Sequence, residues 1–216
     1  LSFVNSIAAV CESVGADVDD VMVGLGYDRR IGSGYLRPGP GWGGSCFPKD
    51  TQSLLQMAGQ AGYDFRFLDV AVAVNEEQFD RVTDKVRKAA GGDLAGRTVA
   101  AWGLTFKAGT DDLRDSPALA VIDRLLTAGA TVRAHDPTVA AAHPPIPDDV
   151  LVVTDPLTAC DGAEVLVVLT EWEDFQVADP KVVADRLTRP AVVDARNLLD
   201  RTRWEGHGFD YQGIGR

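Results

Sequence analysis

From Leu1 to Val14 the apolar residues fall at Phe3, Val4, Ile7, Ala8, Val10, Cys11 and Val14, a helical spacing that Gly15 ends. Asp17 or Asp19 is placed to cap a short second helix through Val21, Met22, Val23 and Leu25. Asp50 and Thr51 are N-cap types, and Leu54, Leu55, Met57 and Ala58 continue at helical spacing to Gly59 or Gly62. A longer helix is predicted from about Phe67 to Ala90, through Val70, Val74, Phe79, Val82 and Val86. Lys85, Arg87 and Lys88 fall in its last turn and Gly91-Gly92 follow, a cationic end with a glycine stop.

From Arg97 the pattern changes. Thr98–Trp102 reads as a strand, and Ser116-Pro117 opens a helix that runs to Ala128-Gly129. Thr131–His135 is a second strand, Val150–Val153 a weaker one, and Glu164–Leu169 a strong, apolar one. Phe175–Leu187 reads as a helix and Ala191–Asp194 as the last strand. Uninterrupted apolar strands alternating with helices imply a parallel sheet covered on both faces. The fold class is therefore α/β: a helical module over residues 1–93, then a Rossmann-like, doubly wound domain over 94–216.

Between these patterns lies a segment with neither period. Gly24 to Gly44 holds eight glycines with Pro38 and Pro40, too long for a turn and suited to a ligand-binding loop. The net charge of −11 argues against nucleic-acid binding, while leaving room for one small anionic ligand in a local basic pocket. No apolar stretch approaches the ~20 residues of a membrane span, and no signal peptide is evident. The chain opens inside a helical pattern without Met, as a fragment would. Its three cysteines are far apart, without metal-ligand spacing, which suits a reducing, cytoplasmic setting. His135, His143 and His207 form no metal spacing and read as surface or turn residues.

Two segments carry candidate chemistry. In Pro38–Asp50, Cys46 follows the glycines and lies just before a helix N-terminus. The helix dipole and Lys49 favour a thiolate there, and Asp50 is placed to orient or deprotonate a water. A thiolate beside glycine amides suits attack on a carbonyl, because free N–H groups stabilise the oxyanion. On spacing alone, a buried structural thiol beside a glycine-rich turn remains open. The second segment, Gly103–Pro117, joins the first strand of the α/β domain to its helix, where such sheets bind ligands. Lys107 and Arg114 there suit phosphates or a sugar, and a solvated polar loop is the alternative. It is not a Gly-x-Gly-x-x-Gly dinucleotide fingerprint.

Gly43–Asp50, Phe106-Lys107 with Thr110–Pro117, Asp28–Gly32 and Val193–Asn197 together resemble the UDP-glucose/GDP-mannose dehydrogenase family over essentially the whole chain. The resemblance implies two NAD-dependent oxidations of a sugar C6 alcohol to a carboxylate, with Cys46 attacking the intermediate aldehyde and Asp50 assisting the water chemistry. It assigns Lys49 and Arg114 to the cofactor. Tyr35, Gly43, Phe106, Lys107 and Arg196 are assigned to the substrate, and Arg30 to the neighbouring subunit's substrate. It implies a UDP-sugar substrate and a homodimer built on the helical module. Phe47 and the Phe106-Lys107 context lean toward UDP-glucose over GDP-mannose, and a non-catalytic nucleotide-sugar-binding or dimerisation module is the alternative of another class. The family's N-terminal NAD-binding domain and its catalytic lysine and asparagine have no counterpart here. Asn5 falls after that asparagine's position. The 216 residues alone are therefore expected to bind UDP-sugar weakly without turnover.

Overall fold

A computed structural model describes all 216 residues. Helix α1 (Ser2–Val14) ends on Gly15, whose φ of 71° returns its N–H to the Cys11 carbonyl. Helix α2 (Val18–Gly26) is capped by Asp17, which accepts from the Asp19 amide at 2.8 Å. Helix α3 (Phe47–Gln60) starts earlier than the cap-type residues Asp50 and Thr51 suggest. Pro48, with its preset φ, occupies the first turn, so Cys46 is the N-cap and Asp50 lies inside the helix. Helix α4 (Arg66–Ala89) is the long one.

The remaining elements are β1 (Thr98–Trp102), α5 (Pro117–Thr127), β2 (Thr131–His135), β3 (Val150–Val152), α6 (Pro156–Cys160), β4 (Val165–Val168), α7 (Glu173–Gln176), α8 (Pro180–Ala184), β5 (Ala191–Asp194), α9 (Arg201–Glu205) and β6 (Asp210–Gln212). All six strands pair in parallel, in the order β3-β2-β1-β4-β5-β6. That is the doubly wound Rossmann order, which reverses direction between β1 and β4.

The helix expected over Phe175–Leu187 is two short ones. Pro180 cannot donate to the ladder and restricts Asp179, which instead caps α8 through a 3.0 Å bond from the Lys181 amide. The short elements α6, α9 and β6 escape a periodicity reading because none exceeds five residues. His135 is no surface residue. It ends β2 buried, with Nδ1 2.9 Å from the Val153 carbonyl and its ring edge-on to Phe175.

One sheet face is covered by α4 and α5, and the core there is continuous with the helical module. Val82, Val86 and Ala89 of α4 share one apolar cluster with Val4, Val18, Val99 and Val165. The other face packs Trp102, Phe175 and Trp204 against residues of α6 and α8. The N-terminal helices are thus fixed relative to the sheet's carboxyl edge, where the site lies.

Candidate active site

The glycine loop before α3 is held by side-chain amides from two helices. Asn5 of α1 accepts from the Gly39 amide at 3.0 Å, and Gln78 of α4 donates to the Gly39 carbonyl at 2.8 Å. Asn75 of α4 grips Trp42 at both backbone groups, accepting from its amide at 2.8 Å and donating to its carbonyl at 2.9 Å. The Trp42 indole donates to Ser2 at 2.8 Å. A loop with no ladder partner thereby finds partners for its Gly39 and Trp42 backbone groups, supplied by three buried amide side chains. Gly41 has a φ of 139° and lies where a Cβ would come within 2.4 Å of the Phe79 ring. Only glycine allows that approach.

The loop then meets the segment between β1 and α5. A Cβ on Gly44 would lie 2.8 Å from the Phe106 ring. Cys46 is exposed at the α3 N-terminus, with Ser45 Oγ 3.8 Å from its sulfur. Two cations stand near it, and each is paired. Lys49 bonds Asp50 at 2.5 Å; that hydrogen bond raises the ammonium pKa, with a lesser contribution from Cys46. Arg114 forms a fork with Asp112 through two 2.8 Å bonds. The fork raises the guanidinium pKa, again with a small Cys46 contribution, and holds the Asp112 carboxyl at about 2. Both cations are solvent-exposed, so their field at the sulfur is screened.

Arg196 approaches from the β5 end. Its Nε donates to the Leu169 carbonyl at 2.8 Å and its Nη2 to the Phe106 carbonyl at 3.2 Å, while Glu171 Oε2 lies 3.1 Å from Nε. Burial lowers its pKa, opposed by Glu171 and Asp194. Arg196 lines a cleft of about 170 Å³ together with Arg37, Gly43, Phe47, Phe106 and Lys107. The Lys107 ammonium lies 5.3 Å from the centroid of the Phe106 ring. The cleft is therefore a basic pocket in an acidic protein.

Of the residues singled out in the sequence, Gly43, Phe106, Lys107 and Arg196 meet in this cleft, and Cys46, Asp50, Lys49 and Arg114 cluster beside it. Tyr35 lies apart, in an apolar groove with Phe3 and Phe67. Arg30 is on the loop after α2, exposed and paired with Asp28. Arg37 escaped sequence reasoning because one cation in a glycine loop carries no spacing signal. Asn75 and Gln78 escaped as well; a polar residue on the core face of α4 was their only mark.

Residues 1–77 match the UDP-glucose/GDP-mannose dehydrogenase family, central domain, and residues 100–201 match the UDP binding domain of the same family. The chain is 43% identical over its full length to UDP-glucose 6-dehydrogenases of Rhizobium meliloti and Pseudomonas aeruginosa, covering 49% of each. It spans about half the length of these curated relatives. Among solved structures, a UDP-glucose dehydrogenase from the hyperthermophilic archaeon Pyrobaculum islandicum superposes over the whole chain with a TM-score of 0.87 at 31% identity, 47% of that chain being covered.

Proposed function

Because the chain belongs to the UDP-glucose/GDP-mannose dehydrogenase family, we propose that it carries the substrate side and the catalytic thiol of an NAD-dependent UDP-glucose 6-dehydrogenase. The observation that carries this reading is the convergence of Arg37, Lys107 and Arg196 on one cleft beside Cys46, in a protein of net charge −11. Three cations suit a diphosphate, and a helix N-terminus beside it suits a developing negative charge.

In this reading the Cys46 thiolate adds to the C6 aldehyde of the sugar. A carbon–sulfur bond forms, and the carbonyl π pair becomes an oxyanion that is protonated to a thiohemiacetal. Amides in the first turn of α3 lack intrahelical acceptors and are placed to stabilise that oxyanion. Asp50, hydrogen-bonded to Lys49 in the first turn of α3, is suited to holding a water for release of the product.

Oxidation needs a hydride acceptor, which in this family is NAD. The switch point of this sheet does not fit a dinucleotide. The Leu104 and Thr105 amides, where a pyrophosphate would sit, donate instead to the Asp136 carboxylate at 2.8 and 3.1 Å. Lys49 and Arg114 are the residues here that would face the cofactor, and no hydride step is assigned to this chain.

Alkylation of Cys46 with and without UDP-glucose tests the proposal. Bound UDP-glucose is expected to slow labelling, with a matching heat in titration calorimetry. Unchanged labelling and no binding heat at millimolar UDP-glucose would defeat it.

A further inference from the structure

The segments that form the basic cleft lead back to one carboxylate. Asp136 follows β2 and is 1% exposed. Its Oδ2 accepts from the Leu104 amide at 2.8 Å, the Thr105 amide at 3.1 Å, the Thr105 hydroxyl at 3.0 Å and the Trp172 indole at 3.1 Å. Its Oδ1 accepts from the Thr138 amide at 3.0 Å and the Thr138 hydroxyl at 2.8 Å. Burial opposes the charge, yet the donors outweigh it and hold the carboxyl below its usual range. An apolar residue here would strand buried N–H groups, each costing about 1–3 kcal/mol.

The donors on Oδ2 belong to the segments that build the cleft. Leu104-Thr105 runs directly into Phe106 and Lys107. Trp172 follows Glu171, whose carboxylate lies beside Arg196. The Thr170 hydroxyl donates to the Thr105 carbonyl at 2.6 Å, and Arg196 donates to the Phe106 carbonyl, so the two segments are cross-tied. Gly103 makes the junction possible: a Cβ there would lie 2.5 Å from the Thr170 amide nitrogen. The donors on Oδ1 belong to the turn after β2; the Thr138 hydroxyl also lies 3.4 Å from the Thr110 carbonyl, which does not line the cleft.

We propose that Asp136 is a positioning residue for the cleft: an internal anion, seated where the fold would take a phosphate, that fixes the Phe106-Lys107 and Glu171–Arg196 sides in one geometry. Its consequence for UDP-sugar affinity rests on the function proposed above. Its consequence for the geometry of the two segments does not.

Hydrogen exchange on the 216-residue chain tests the geometric part. In Asp136→Asn and Trp172→Phe, amides of residues 104–108 and 169–173 are expected to exchange at least about tenfold faster, with residues 79–89 of α4 unchanged. Thr138→Val, which removes a donor from Oδ1 and the 3.4 Å contact to the Thr110 carbonyl but none of the Oδ2 donors, is expected to leave residues 104–108 and 169–173 within about twofold of wild type. UDP affinity, measured by calorimetry, should fall in the first two variants and hold in the third. If Asp136→Asn fails to fold, Trp172→Phe decides. Unchanged exchange at both segments, an increase spread equally over α4, or an equal effect of Thr138→Val would overturn the proposal. A wild-type chain that fails to bind UDP would defeat the functional reading and leave the exchange result to judge Asp136.

Discussion

The Gly44 amide donates to the Asp115 carbonyl at 3.2 Å, joining the cysteine loop to the segment between β1 and α5. Asp115 takes a φ of 46°, uncommon outside glycine, and its carbonyl lies where a Cβ on Gly43 would stand 1.9 Å away. Backbone meets backbone there, so no rotamer change relieves the clash. Gly43→Ala is expected to destabilise the fold by about 1–3 kcal/mol, the usual range for overpacking. It should also weaken UDP binding more than a mutation of similar cost elsewhere, because the strain falls on the cleft. Denaturant midpoints and UDP titrations on the same preparation check both parts.

The three thiols differ in environment. Cys46 is exposed at a helix N-terminus, whereas Cys11 and Cys160 are buried. Burial pushes the Cys160 thiol up to about 12. Iodoacetamide at neutral pH should therefore label Cys46 first and Cys160 last. Peptide mapping at partial labelling reads the order, and early modification of Cys160 would contradict the assignment of Cys46.

Cys160 also makes stability depend on alkaline pH. Its folded pKa of about 12 lies above the unfolded value of 9.0, and Tyr211, hydrogen-bonded to Asp194 and buried, is raised in the same direction. The native state keeps these protons while the unfolded state releases them. Stability from this source is complete below pH 9 and is lost as pH rises toward the folded pKa. For Cys160 the limiting slope is on the order of 1.4 kcal/mol per pH unit. Cys160→Ala should flatten the fall in Tm between pH 9 and 10.5. An unchanged slope would remove the thiol as its cause.

The sequence-visible part of this molecule is its periodic part. Thr98–Trp102 and Thr131–His135 lie where apolar runs predict strands, and a parallel sheet covered on both faces follows from their alternation with helices, whereas the strand order is visible only in the structure. Five-residue elements such as α6 and α9 are too short to show a period. The Phe175–Leu187 segment kept helical spacing, yet its Asp179-Pro180 break carried more weight than the spacing. At the site, Cys46 stood out through glycine density. The Asn5, Asn75 and Gln78 grips did not, because a buried amide declares its purpose only through partners 33 to 39 residues away. Asp136 was equally silent: Asp-Pro after a strand reads as a turn, and its bond to Leu104 spans 32 residues.

The helical module leaves a large apolar surface open. Phe3, Tyr35, Phe67 and Val70 are 59%, 72%, 82% and 59% exposed, and a groove of about 360 Å³ runs among the first three. Surfaces of this kind mark association sites. A homodimer is expected, giving twice the 23.1 kDa chain mass in sedimentation at micromolar concentration. Phe67→Lys should shift the population toward monomer. A strict monomer in the wild-type protein would remove the prediction for this chain.

Arg196 offers the sharpest separation of binding from folding. Its guanidinium donates to two carbonyls, from Nε to Leu169 and from Nη2 to Phe106, while Glu171 Oε2 stands 3.1 Å from the same Nε as a charge partner without a hydrogen bond. A lysine keeps the charge but lacks the planar fork, so it cannot meet these groups together from one ammonium position. The neighbouring scaffold does not depend on that side chain. Asp194 anchors the loop through the Leu199 amide at 2.7 Å, the Tyr211 hydroxyl at 2.8 Å and the Arg196 backbone amide at 3.1 Å. Asn197 separately grips the Ile214 backbone at 2.9 Å through both its amide atoms. Arg196→Lys should therefore keep the loop in place while loosening the Phe106 side of the cleft. The expected loss in UDP affinity is about 10- to 100-fold, equivalent to about 1.4 to 2.8 kcal/mol. The denaturant midpoint should move little by comparison. Arg196→Met, which removes the charge as well, should bind still more weakly. Equal UDP affinity in wild type and Arg196→Lys would show that charge alone, without the fork, accounts for the role of this residue.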